Sequence, residues 1–380
     1  MPGETFGTQS RIWIEELEAR RNEPISPSTS DTYRIHINRL LALIPAETPL
    51  SEIHNGFVRD LVTKMGSLAS KTVKETLATL RAIVASPLDP FTLDQIYPRV
   101  WNHKAIGARK VKNQKQPTVN AEQIEAAIKN ARTWQEQLLY ALLAGAGLRI
   151  SECRAIRVGP IDGDDQTAWL PDRSLIKVRS TVFKGKELRG QVKTEAARRF
   201  VDLHSNLNEA IRKFVEAVGI QPGQFLFQAQ GKIVSATVWR MRAKQRGIPG
   251  FHSLRRWRIS HLRSVPVLED LTQYWSGHGP KTITDIYSKL GENVELRESW
   301  AARAGLGFSL DRMGHPAPAK SRKARKTTII TAVVAPVEVE AIAPGMYIQP
   351  YKQVEAPQAN GELEPLRAEN ERTREVMGLK

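Results

Sequence analysis

The sequence predicts an α+β fold that is mainly helical, on three observations. Apolar residues recur at helical spacing from Ile12 to Trp275, strand-like patterning is confined to Ala168–Leu203, and 380 residues suffice for two or three domains.

In chain order, the first helix is expected over Gln9–Arg21, with Ile12, Trp13 and Leu17 apolar. Tyr33, Ile37, Leu40, Leu41 and Ile44 mark the second, Ile53, Phe57 and Leu61 the third, and Val73, Leu77, Leu80 and Val84 the fourth. Ser30 and Ser70 stand where N-caps are wanted, and Pro24, Pro45, Pro49 and Pro87 separate the segments. Residues 1–102 therefore read as a small helical domain, which would serve equally as a clamp on a duplex or as an ordinary bundle. Residues 103–117 lose the amphipathic period and gather Arg109, Lys110, Lys112 and Lys115 before Pro117, the composition of a basic linker.

A second domain is expected over residues 118–310. Asn120 and Gln123 form a capping-box pattern that opens a helix over Ala121–Ala131, and the mostly apolar Trp134–Gly145 reads as a core helix. Leu175, Ile176 and Val178, then Thr181–Phe183, then Phe200–Leu203 predict one small antiparallel sheet. Helical spacing returns at Leu207, Ile211, Phe214 and Val218 and continues through Val238–Arg246, Ser253–Arg263 and Leu268–Trp275. Beyond Leu310, Pro, Ala, Lys and Arg dominate, then Val, Glu, Pro and Ala; residues 311–380 are expected to be a disordered tail with at most a terminal helix.

Composition narrows the function. Lys and Arg number 56 against 40 Asp and Glu, a net charge of +16 that favours a polyanionic partner, because each phosphate neutralised releases counterions. The longest apolar run, Leu138–Leu148, is too short to span a bilayer, and MPGETFGTQSR has no secretory apolar stretch. A single cysteine, Cys153, excludes an internal disulfide framework and a cysteine-cluster metal site; it reads as buried packing. The expectation is a soluble, intracellular protein with no membrane partner. His36, His54, His103, His204, His261 and His315 lack metal-ligand spacing and read as surface or capping residues.

Four separated pieces of the second domain are informative together. Gly147-Leu148-Arg149-Ile150-Ser151-Glu152 delivers an arginine to a helix start; Lys193-Thr194 precedes a strand; His252 and Arg255 share a helix face; and Gly277-His278 is followed by Tyr287. Singly, each has an ordinary structural reading: a capped helix, a solvated lysine, a turn histidine, a core tyrosine. In this order and spacing they resemble the tyrosine recombinase family, the phage-integrase type of site-specific DNA recombinase, with Ala146 where the family has Thr before the glycine. The resemblance covers roughly residues 118–290, and more loosely residues 1–102 as a core-binding, SAM-like domain.

What the resemblance implies follows phosphodiester chemistry. Arg149 and Arg255 would clamp the non-bridging oxygens with paired planar donors. Tyr287 would attack phosphorus, Lys193 would protonate the leaving 5′-oxygen, His252 would act as base or orienting group, and His278 would hydrogen-bond the phosphate. Lys184 and Lys186, in Phe183-Lys-Gly-Lys, compete for the acid role, and Lys193 is preferred because Lys-Thr, an arginine at 198 or 199 and a Val-Asp-Leu strand fit the family better. Glu152 reads as a structural partner of a nearby cation. Trp300, within Glu292–Arg303, lies on a helix that docks either on a neighbouring protomer, as the family's post-tyrosine segment does, or on its own subunit.

The resemblance further implies double-stranded DNA as partner, a homo-tetramer on DNA, strand exchange through a Holliday junction, and accessory DNA-bending or directionality proteins. It implies no metal and no nucleotide cofactor, and the sequence has no Walker glycine loop. With the first helix starting almost at once, no arm-binding domain and no arm-site regulation are expected. A type IB topoisomerase-like relaxing enzyme and a non-catalytic DNA-binding protein on the same fold are the rival readings.

Overall fold

The computed structural model describes residues 5–22, 24–97, 100–108, 116–279 and 290–315. Four helices open the chain: α1 (Phe6–Ala19), α2 (Pro27–Leu41), α3 (Asn55–Lys64) and α4 (Ser70–Val84). Their apolar stripes meet in one cluster that includes Phe6, Ile14, Leu40, Leu61 and Leu80. The two expected caps fall elsewhere. Ser26 caps α2, its hydroxyl accepting from Thr29 N–H, because Pro27 is pre-shaped for the first helical turn. Ser30 lies inside that helix and donates to Glu18. Ser70 is the first residue of α4, and Ala69 in the cap position makes no side-chain bond. His36 is likewise a correction: it is buried and bonds Thr79 Oγ1 of α4 at 2.8 Å.

A one-turn helix, α5 (His103–Ile106), is capped by Asn102 and buries Ile106 in the same cluster. The connecting segment thus begins later than residue 103. Its basic residues Arg109, Lys110, Lys112 and Lys115 lie outside the described residues.

The second cluster is built around α7 (Trp134–Gly145), buried from Leu138 through Ala144, with α6 (Ala121–Lys129) beside it. The capping box is present: Gln123 N–H donates to Asn120 Oδ1 at 2.8 Å, and Asn120 N–H donates to Gln123 Oε1 at 3.0 Å. Asn120→Ala removes the cap and should cost about 0.5–2 kcal/mol of stability in urea or thermal unfolding. After α8 (Ile150–Arg154) comes a four-stranded sheet in the order β1 (Arg157–Val158), β2 (Ala168–Leu170), β3 (Leu175–Val178) and β6 (Arg199–Asp202). It is antiparallel except that β1 runs parallel to β2. Thr181–Phe183, expected in that one sheet, instead forms a separate hairpin, β4 (Thr181–Phe183) with β5 (Lys186–Leu188), and a further hairpin pairs β7 (Gln228–Ala229) with β8 (Lys232–Ile233).

Five helices complete the described chain: α9 (Ser205–Val218), α10 (Ala236–Gln245), α11 (Phe251–Ser264), α12 (Glu269–Ser276) and α13 (Val294–Ala304). Leu262, Leu271, Trp275, Leu290, Ala301 and Ala304 form a third cluster against which Trp300 packs, so α13 docks on its own chain. An ion pair between Arg297 of α13 and Asp202 of β6, 2.8 Å apart and almost wholly buried, fastens the helix there. The chain then returns to the second cluster through Leu306 and Phe308. Gln137 accepts from Gly314 N–H and donates to Arg312 O, so the segment expected to be disordered from residue 311 is held in place through this turn. Residues 316–380, the rest of that tail, lie outside the described residues. No helix among the described residues is long and apolar enough to cross a membrane.

Candidate active site

Gly147 makes the turn between α7 and α8 at φ +65°, a conformation that favours glycine, and a Cβ there would press on Arg258 Cγ at 3.2 Å. The turn places Arg149 in the N-cap position of α8. Arg149 Nη1 donates to Glu152 Oε1 at 2.7 Å and Nη2 to Gly277 O at 3.2 Å, while its backbone N–H donates to Glu152 Oε2 at 2.9 Å. Glu152 is the structural partner expected from the sequence, and its second cation is Arg199, at 3.0 Å. Burial pushes the Glu152 carboxyl up, but Arg199 and Arg149 outweigh it and hold the group below its ordinary value.

Arg255 comes from α11, is 1% exposed, and donates from Nη1 to Gly147 O at 2.7 Å. Its Nη2 donates to Ser276 O and stands 3.4 Å from His278 Nε2. A guanidinium only donates, so Nε2 accepts and the ring proton belongs on Nδ1, which faces Ser276 Oγ at 3.2 Å. Burial, then repulsion from Arg149, lowers the Arg255 guanidinium to about 10, so it remains a cation at neutral pH. The C-terminal turn of α12, at Ser276 and Gly277, thus meets both arginines and leads directly into His278.

His252 lies one turn before Arg255 on α11 and is exposed. Partial desolvation of the ring lowers its pKa, and the charges of Arg256, Arg255, Arg149 and Lys193 lower it further. The imidazole is therefore mainly neutral at pH 7, able to accept a proton, and lies within the field of three of the expected site residues. Lys193 is exposed on the connection between β5 and β6 rather than on a strand. Lys184, its rival, sits at the β4–β5 turn and pairs with Asp31 of α2 at 2.5 Å. Under the phosphodiester chemistry expected from the sequence, Lys193→Ala slows cleavage by roughly 10²–10⁴-fold in a single-turnover assay, whereas Lys184→Ala stays within about twofold.

Arg149, Arg255 and His278 are thus brought to one place, with His252 and Lys193 electrostatically coupled to it. Tyr287 lies outside the described residues. Two residues of the site were not singled out in the sequence as functional. Arg256 adds charge beside His252 and donates twice to Pro117 O, at 2.7 and 3.0 Å. Arg199 is fully buried behind the α12 turn; its sequence signal was the arginine at 198 or 199 that follows Lys193-Thr194.

Residues 117–293 match the phage integrase family. A tyrosine recombinase of Pseudothermotoga lettingae is 29% identical over 170 residues, 43% of this chain and 51% of that protein, so the chain spans about half the length of the curated relative it matches. A structure of the Tn1549 transposon integrase in complex with transposon right end DNA covers 78% of this chain and 97% of its own, at TM-score 0.53 and 14% identity. A second structure of that integrase, in complex with a circular intermediate DNA, gives TM-score 0.54 at 14% identity, covering 78% of this chain and 97% of its own. The likeness to these structures is one of fold.

Proposed function

We propose that this chain, whose residues 117–293 match the phage integrase family, is a site-specific DNA recombinase that cuts and rejoins duplex DNA through a 3′-phosphotyrosyl intermediate. The observation that carries the reading is the meeting of Arg149 and Arg255, from separate segments, at the turn that presents His278. Two forked cations so placed suit a phosphate that gains negative charge during attack.

In the proposed reaction the phenol oxygen of Tyr287 attacks phosphorus and its proton passes to His252. The bond to the 5′-oxygen breaks, and Lys193 gives that oxygen its proton. Arg149, Arg255 and His278 hold the non-bridging oxygens throughout. Attack by a 5′-hydroxyl on the phosphotyrosine reverses these transfers and reseals a strand. Cleavage and resealing exchange one ester for another, so no external energy source is required.

Residues 1–102, with α5 packed on them, would clamp the duplex, and the rest of the segment up to residue 117 would link the clamp to the catalytic domain. The separate apolar clusters of the two regions support that division. Four protomers would join two duplexes and pass through a Holliday junction, with accessory DNA-bending or directionality proteins as further partners and the cytoplasmic nucleoid as the place of action.

The test uses nicked duplex fragments of the DNA flanking the gene. Fragments that become attached to the protein under denaturing conditions are sequenced, then placed in pairs on a supercoiled plasmid. Reciprocal recombinant products support the reading; relaxation without recombinants would instead identify a type IB topoisomerase-like activity, and stable binding without attachment a non-catalytic protein.

A further inference from the structure

We infer that Arg199 is a positioning residue for the phosphate clamp, tying Arg149 to the turn that carries His278. The inference rests on the recombinase reading and names a residue that reading does not use. Arg199 opens β6, directly after the connection bearing Lys193, and its side chain is fully buried. Each end of the guanidinium is engaged: Nη2 donates to Glu152 Oε2 at 3.0 Å, Nε to Trp275 O at 2.8 Å, and Nη1 to Ala197 O at 2.9 Å. Gly277 packs on it so closely that a Cβ there would stand 3.0 Å from Nη1.

One side chain therefore touches three segments of the site. Through Glu152 it fixes the carboxylate that orients Arg149. Through Trp275 O it fixes the end of α12, whose next two carbonyls receive Arg255 and Arg149. Through Ala197 O it fixes the end of the connection that carries Lys193. A planar fork can make these bonds at once; an ammonium cannot. Arg199 is too deep to reach DNA, so it acts through other residues.

The consequence is electrostatic as well as geometric. Glu152 is faced by Arg149 at the start of its own helix, by Arg199 from β6 and, at longer range, by Arg255 from α11, with the buried Cys153 thiol beside it. Removing Arg199 leaves a buried carboxyl with one close cation fewer, so its pKa rises. Protonated Glu152 no longer anchors Arg149, and raising the pH restores the anchor.

The experiment measures covalent trapping on a nicked suicide duplex at saturating protein, as a function of pH, together with DNA affinity and thermal unfolding. Arg199→Met should bind DNA near wild-type affinity but trap it about 100-fold more slowly at neutral pH. Its rate should climb with pH relative to wild type, as the Glu152 carboxyl ionises. Arg199→Lys should recover the wild-type pH profile and part of the rate. Because a lone buried carboxylate can unfold the first variant, Glu152→Gln combined with Arg199→Met supplies a neutral pair, expected to fold, to trap slowly and to lose the extra pH dependence. Trapping by Arg199→Met at the wild-type rate overturns the inference. So does a loss of equal size at every pH that Arg199→Lys shares, which marks a merely structural residue. An extra pH dependence that persists in the double variant also overturns it, since Glu152 would not be the titrating group. If wild-type protein traps no DNA at all, the recombinase reading fails and this inference falls with it.

Discussion

Tyr287→Phe should bind its DNA site within about twofold of wild type and form no covalent complex, because only the phenol oxygen is lost. On a suicide duplex, where the released strand end diffuses away, wild-type protein should accumulate as an attached species resistant to denaturant. The variant should give none, a fall of at least roughly 10³–10⁴-fold in trapping rate. A variant that still trapped DNA at a few per cent of the wild-type rate would place the nucleophile elsewhere.

The second large effect is expected at Arg255. Arg255→Ala removes a donor from a developing oxyanion, a loss of about 2.7–4 kcal/mol of transition-state stabilisation, or roughly 10²–10³-fold in rate. Folding also suffers, because Gly147 O and Ser276 O both accept from this buried side chain and would be left without it. Arg255→Lys separates the two effects: it retains charge and most of the packing but cannot span both carbonyls and a phosphate. It should fold better than the alanine variant and remain slow. Single-turnover trapping at saturating protein, compared with urea unfolding of the same preparations, checks both parts; fast trapping by Arg255→Lys would show that the fork is not needed.

Much of the architecture could be read in the sequence where a local pattern determines the outcome. Trp134–Gly145 is found as expected because an apolar stretch of that length can only be a buried helix or a misfit. The Asn120–Gln123 box is found because cap and helix lie within one turn. Errors arose where a distant residue decides. His36 is buried because Thr79, on another helix, supplies a partner for its ring, and no local pattern announces that. Ser30 lost the cap to Ser26 because Pro27 fixed the helix start earlier. The two-residue strands β1, β7 and β8 are too short to show a period of two.

The candidate site was legible in a different way. Motif order named Arg149, Lys193, His252, Arg255, His278 and Tyr287, but could not say how they are held. The supports of Arg149 and Arg255 are backbone carbonyls of Gly147, Ser276 and Gly277, which have no residue signature at all, and the Glu152–Arg199 pair, whose partners belong to different segments. The docking of α13 on its own chain turns on Arg297 meeting Asp202, again a pairing between segments far apart in the chain. Sequence patterns find reactive groups more readily than the groups that aim them.

The central claim is that these polar side chains gather around a single phosphate of duplex DNA. A crystal structure of the protein trapped on a suicide duplex measures this directly. It should show the Tyr287 oxygen bonded to phosphorus, both Arg149 and Arg255 within hydrogen-bond distance of the non-bridging oxygens, and Lys193 beside the 5′-oxygen. A trapped phosphate held by neither arginine, or one bonded to a different side chain, would contradict the account.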